Sequence, residues 1–195
     1  EIYRITVDTR WPYWVYGAQQ DNSSVGVPST NRGQPNLNAG PGEAGYLQVD
    51  PRNYQIIYAG NYGGTLVRQD GVNGITDNIK VYADVETGQR AADMKYRFQW
   101  NAPLLLSPHN PDILYTTSQY VHRSKEGGLN WERVSTMDLT RNDKTKQDYA
   151  GAKGVTQDDT GVEVYGTIFS FQESPVTAGH LWAGSDDGLL HLSRD

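Results

Sequence analysis

Apolar and polar residues alternate along short runs of this chain, and almost nothing follows a helical period. Over 3–8, Tyr3, Ile5 and Val7 interleave with Arg4, Thr6 and Asp8, as in a strand with one face buried. Runs at 14–18 and 24–29, at 45–50, 55–60, 65–70 and 78–84, at 99–107, 113–118, 120–125 and 131–135, and at 165–171, 180–185 and 189–194 predict further strands. Turn residues separate them: Pro51 to Tyr54, Asn61 to Gly64, Pro108 to Asp112, the Gly127-Gly128 pair, Glu173 to Gly179 and Asp186 to Gly188. Three stretches lack the pattern and read as loops or links: 30–44, 85–97 and the long polar connection 136–164.

The strands fall into groups, and the groups repeat. Residues 181–195 lie on 114–126 with a two-residue gap in the turn, pairing Leu114 with Leu181, Tyr115 with Trp182 and His122 with His191. Residues 57–70 lie on 181–194 with no gap, pairing Tyr58 with Trp182, Gly64 with Gly188 and Leu66 with Leu190. Repeats of this length mean a stacked or radial array of one small unit. Four strands per unit, short turns within it and longer links between units predict an all-β fold, a partial β-propeller of antiparallel blades at 1–44, 45–84, 99–135 and 165–195. The last unit ends where its fourth strand is expected, giving three and a half to four blades of a larger ring, for instance one of seven. Because the chain opens on Glu1-Ile2-Tyr3 inside a strand, we read its start as an internal cut.

Bulk properties narrow the function. The 195 residues are expected to form one domain, and a formal charge of −6 argues against nucleic acid as a partner. With no cysteine, disulfides, thiolate catalysis and cysteine-based zinc sites are out of reach. No run approaches the ~20 apolar residues of a membrane-spanning helix.

Ser124-Lys125-Glu126-Gly127-Gly128-Leu129-Asn130-Trp131 resembles the Asp-box, or BNR repeat, Ser/Thr-x-Asp-x-Gly-x-Thr-Trp, with Glu126 in place of the acid and Asn130 in place of the threonine. Ser193-Arg194-Asp195 matches the first three positions of a second copy. The runs VYGAQQDNSS (15–24), MDLTRNDKTKQ (137–147), DTGVEVYGTIFSFQESP (159–175) and LWAGSDDGLLHLSRD (181–195) are similar to a family of large bacterial exported proteins with sortilin-like BNR propellers, often labelled glycosyl hydrolases. The resemblance implies a propeller and a secreted, periplasmic or cell-surface location. It also implies that further blades, from this or another chain, stand beside these.

In an up-and-down blade, successive turns alternate between the two ends. The Asp-box turn then shares a rim with 51–54, 108–112 and 173–179. The opposite face collects Gln20, Asp21, Asn22, Asn61, Tyr62, Gln119, Asp186 and Asp187, together with the long links, and is the candidate ligand-binding face for protein or carbohydrate. Glycoside hydrolysis needs two carboxyl groups, one protonated and one ionised, for which Asp21 and Asp187 are the candidates; both also suit plain turns. The Asp-box residues Ser124, Glu126, Gly128, Trp131, Ser193 and Asp195 are expected to be structural, with Ser and acid bonding the turn's own backbone and Trp covering apolar surface. His109, His122, His180 and His191 lack metal-ligand spacing, and no cofactor is expected. Asp143, Asp148, Asp158 and Asp159 are the residues a Ca²⁺ ion would use in the long link, although no twelve-residue calcium loop is present. Trp11, Tyr13, Trp14, Tyr62 and Trp100 are available to stack on sugar rings or to pack turns.

Overall fold

The structure, a computed structural model, describes residues 2–30, 36–40, 42–86, 89–147 and 164–194. Among them are fifteen strands in four antiparallel sheets, one for each predicted unit. Blade 1 contains β1 (Ile2–Val7), β2 (Trp14–Gln19), β3 (Ser23–Pro28) and β4 (Leu37–Gly40). Blade 2 contains β5 (Leu47–Val49), β6 (Ile56–Asn61), β7 (Thr65–Asp70) and β8 (Ile75–Asn78). Blade 3 contains β9 (Leu104–Leu106), β10 (Leu114–Thr117), β11 (Val121–Ser124) and β12 (Glu132–Arg133), and blade 4 contains β13 (Ile168–Glu173), β14 (Leu181–Ser185) and β15 (Leu190–Ser193). In each sheet the strands pair in sequence order, and the first strands β1, β5 and β9 stand next to one another, as in a propeller.

Strand alternation creates a core between each pair of blades rather than inside any one of them. One side of β5 and β6 gives Leu47, Val49, Ile57 and Ala59 to a cluster with Tyr16 and Ala18 of blade 1. The opposite side of β6 and β7 gives Ile56, Tyr58 and Leu66 to a cluster with Leu104, Leu106 and Leu114 of blade 3. Tyr115 and Val121 of blade 3 then meet Ile168, Phe171, Leu181 and Ala183 of blade 4. A blade therefore buries both its faces only by standing between two others. Burying each such Leu or Tyr contributes about 1.5–3 kcal/mol.

Four segments differ from the sequence expectation. The outer strand of blade 1 lies inside 30–44, where the abundance of Asn, Gly and Pro led us to expect a loop: Leu37–Gly40 pairs with β3 and seats Ala39 in the first cluster. The outer strand of blade 2 is 75–78 instead of 78–84. Asn78 Oδ1 accepts the Lys80 N–H and turns the chain away there. In 99–107 only 104–106 pairs, because Pro103 has no N–H to give a ladder. In the described part of the long link, 136–147, there is one short 3₁₀ turn, Lys144–Lys146.

Candidate functional site

Contacts between turns fix the two ends of the blades. Arg52 of the 51–54 turn bonds Asp112 of the 108–112 turn at 2.6 Å, and His109 Nε2 lies 2.7 Å from the Ser174 carbonyl. The 8–13 turn joins this rim where Arg10 stacks over the Tyr54 ring. That places Trp11 and Tyr13 here, away from the expected ligand face. The Asp-box turn is here too: a cavity of about 410 Å³ lies between Arg52 and Asp112 on one side and Lys125, Glu126 and Gly127 on the other.

Within that turn, Ser124 Oγ accepts the N–H groups of Glu126 and Gly128. Gly128 has φ +92, and a Cβ there would fall 2.5 Å from Ile79 Cδ1, so only glycine fits. Trp131 packs on the blade 2–3 cluster and donates Nε1–H to the Ile79 carbonyl at 2.8 Å. Glu126 departs from expectation, since its carboxylate accepts from the Asn130 side chain and not from the backbone. Asp70 performs the backbone-bonding role in blade 2's corresponding turn, accepting from Val72 and Asn73. The sequence match passed over it because no Ser or Trp flanks it. Ser193 ends β15, and Asp195 lies outside the described residues.

The opposite face is assembled mainly by residues where the expected link 85–97 meets the expected strand 99–107. Residues 96–101 cross from blade 2 to blade 4. Phe98 presses on Gly64, which a Cβ would bring to 2.4 Å, and Trp100 stacks on Tyr62 with ring centroids 5.3 Å apart. Arg97, 2% exposed, takes the Gln119 Oε1 at its backbone N–H. Its side chain donates Nε–H to the Gly166 carbonyl and pairs with Asp138 at 2.9 Å. Sequence reasoning placed Gln119 on this face but missed Arg97, whose only signal was a cation beside an aromatic run in a polar stretch.

Of the carboxylates expected on this face, Asp186 and Asp187 are occupied. Asp186, just past β14, accepts the N–H groups of Gly166 and Thr167 and the Thr167 hydroxyl, and burial pushes its carboxyl up against those bonds. Asp187 accepts the Arg141 N–H at 2.6 Å and the Ser185 hydroxyl. Asp21 is exposed in the β2–β3 turn, with φ +60 and its own N–H bonded to Glu43. Glu43 in turn takes Asn61 Oδ1 at its N–H. The structure thus joins Asp21 to Asn61 through Glu43, and Gln119 to Asp186 through Arg97 and Gly166. It does not join Asp21 to Asp187, which sit on the first and fourth blades. Gln20 and Asn22 flank Asp21, and Asn22 Nδ2–H bonds the Gln20 carbonyl.

One carboxyl group on this side was not foreseen. Glu86 lies under Gly63 of the 61–64 turn, buried, with Lys80 Nζ 3.1 Å from Oε1 and no hydrogen-bond partner for Oε2. Burial raises its pKa to about 7. His122 is the converse case: buried against Tyr96 and bonded to Ser118 Oγ, it is held neutral, with burial lowering its pKa to about 3. Among the described residues no group of three or more His, Asp or Glu side chains is arranged to hold a metal, and Asp143 caps the 3₁₀ turn through Thr145. Asp148, Asp158 and Asp159 lie outside the described residues. No described helix is long and apolar enough to cross a membrane.

The geometry has counterparts among solved structures. A GH74 enzyme from Niastella koreensis aligns with 100% of this chain and 28% of its own, at TM-score 0.55 and 15% identity. The GH74 xyloglucanase from Xanthomonas campestris aligns with 94% of this chain and 25% of its own, at TM-score 0.54 and 12% identity. The likeness is one of fold. This chain spans about a quarter of the length of either enzyme. No family model matches it, and no curated protein sequence does.

Proposed function

We propose that this propeller segment belongs to an exported protein and acts as a non-catalytic module, binding protein or glycan on the face built by the 19–23, 61–64 and 186–188 turns and the 96–101 segment. The observation that carries this reading is that Asp186 and Asp187 spend their oxygens on the fold's own donors, while Asp21 stands on blade 1 and shares no hydrogen-bonded group with either. Paired acids at hydrolase spacing must be free to meet a substrate. The half-exposed Tyr62, stacked on Trp100, offers an aromatic platform of the kind that sugar rings cover.

A second reading, glycoside hydrolase, draws on Glu86, a carboxyl group kept protonated near neutral pH beside that platform, and on the enzymes that share the fold. Affinity electrophoresis in xyloglucan, with reducing-end release measured alongside, separates the two. The module reading predicts retardation that Tyr62→Ala weakens, with no release. Release that disappears in Glu86→Gln would replace it with the hydrolase reading.

A further inference from the structure

The junction between blades 1 and 2 and the junction between blades 2 and 3 share one register on the Asp-box rim. In blade 2, Ile57 faces Gln69, Tyr58 faces Arg68 and Arg68 faces Asp77. In blade 3, Leu114 faces Ser124, Tyr115 faces Arg123 and Arg123 faces Glu132. Thr76, just before Asp77, is therefore the counterpart of Trp131, just before Glu132. On the blade behind, Asn38 faces Val25 as Asn78 faces Val67, so Ala39 follows in the place of Ile79.

These exchanges change the corner that the Asp-box tryptophan closes. At the second junction the Trp131 indole donates Nε1–H to the Ile79 carbonyl at 2.8 Å and packs on the cluster that holds Leu114. At the first, Thr76 and Ala39 supply only a hydroxyl and a methyl group. A cavity of about 410 Å³ lies there, and its lining reaches Trp14, Leu37 and Ile57, the last being the counterpart of Leu114. The equivalent recess at the second junction is charged instead, with Asp77 in place of Leu37 and Asp112 in place of Gln55.

The lining of the first recess selects its occupant. The Arg10 guanidinium, stacked over Trp14 at 4.6 Å and over Tyr54 at 5.2 Å, forms part of the wall. A guanidinium attracts the face of an aromatic ring, and indole most of all. The Gln55 and Gln69 side chains, also in the wall, make no hydrogen bond among the described residues and can meet peptide N–H and C=O groups. We propose that this recess binds a tryptophan side chain presented by a partner polypeptide, which takes the place that Trp131 fills one junction on. The inference stands on the two junctions and is independent of any ligand on the loop face.

The test is a ligand-observed NMR titration with N-acetyl-L-tryptophanamide. The parent chain is expected to bind it saturably at millimolar concentration or below, and more tightly than free indole, which lacks the amide groups that Gln55 and Gln69 would meet. Thr76→Trp, which supplies the ring from the chain itself, should weaken binding at least ~10-fold. Leu37→Asp, which copies the acid of the charged recess, should weaken it to a like extent. A cooperative urea transition checks that each variant is folded. No saturable binding by the parent, free indole bound as tightly as the amide, or methyl β-glucoside bound in preference to it would overturn the proposal. Parent-like binding in either folded variant would do the same, and Leu37→Asp carries the comparison should Thr76→Trp fail to fold.

Discussion

The junction between blades 3 and 4 and the outer flank of blade 4 use the same strand positions and differ in what stands opposite. Tyr115 meets Phe171, whereas Trp182, its counterpart one blade on, has no described blade against it. Both are large aromatics at the centre of a second strand, so local sequence does not decide which is buried. The neighbour decides it. A propeller blade is half of two cores, and its stability is shared across junctions.

That contrast is most directly broken by truncation. Tyr115→Ala should cost about 3–5 kcal/mol, and Trp182→Ala no more than about 1 kcal/mol, read by urea denaturation. Equal losses would mean that blade position does not control burial energy. Arg97→Leu sharpens the comparison on the loop face, where the guanidinium joins the 96–101 segment to Asp138 and Gly166 next to blade 4. Removing one partner of this largely buried pair should cost about 3 kcal/mol, and an unchanged midpoint would show that the link does not brace the junction.

Glu86 gives a pH-dependent probe beside blade 2. Its folded pKa, about 7, lies above the unfolded value of 4.5, so the folded state holds the extra proton between those values. Its contribution is fully present below pH 4.5 and is lost as pH rises through about 7, by roughly 1–3 kcal/mol. His122 acts in the opposite sense at lower pH, losing stability as pH falls below 6.5 toward about 3. The Glu86 share is therefore read as the difference between parent and Glu86→Gln, which should favour the variant increasingly from pH 5 to pH 8. Parallel curves would remove the buried, proton-holding carboxyl from the account. At the rim, Ser124→Ala frees two turn N–H groups and should cost about 1–2 kcal/mol by the same denaturation.

The strands were legible wherever alternation and turn residues coincided, as in 55–70, where β6 and β7 fall within a residue of their predicted bounds. They were illegible where a short strand lies among Asn, Gly and Pro and buries a single small side chain, as Leu37–Gly40 buries Ala39, or where a side-chain bond ends one early, as at Asn78. Alternate turns sort to two ends by topology, so the division into two faces could be read from strand order. The chemistry of the face could not. Arg97 and Glu86 acquire their roles from burial by segments 40 and more residues away, or by a turn glycine, and the aromatic residues beside Arg97 are the one local hint of it.

Hydrogen exchange of the dilute chain compares the blades directly. If stability is shared across junctions, amides of β10 and β11 should exchange slowest, and those of β14 and β15, open on one flank, distinctly faster. Protection in blade 4 as strong as in blade 3 would contradict it.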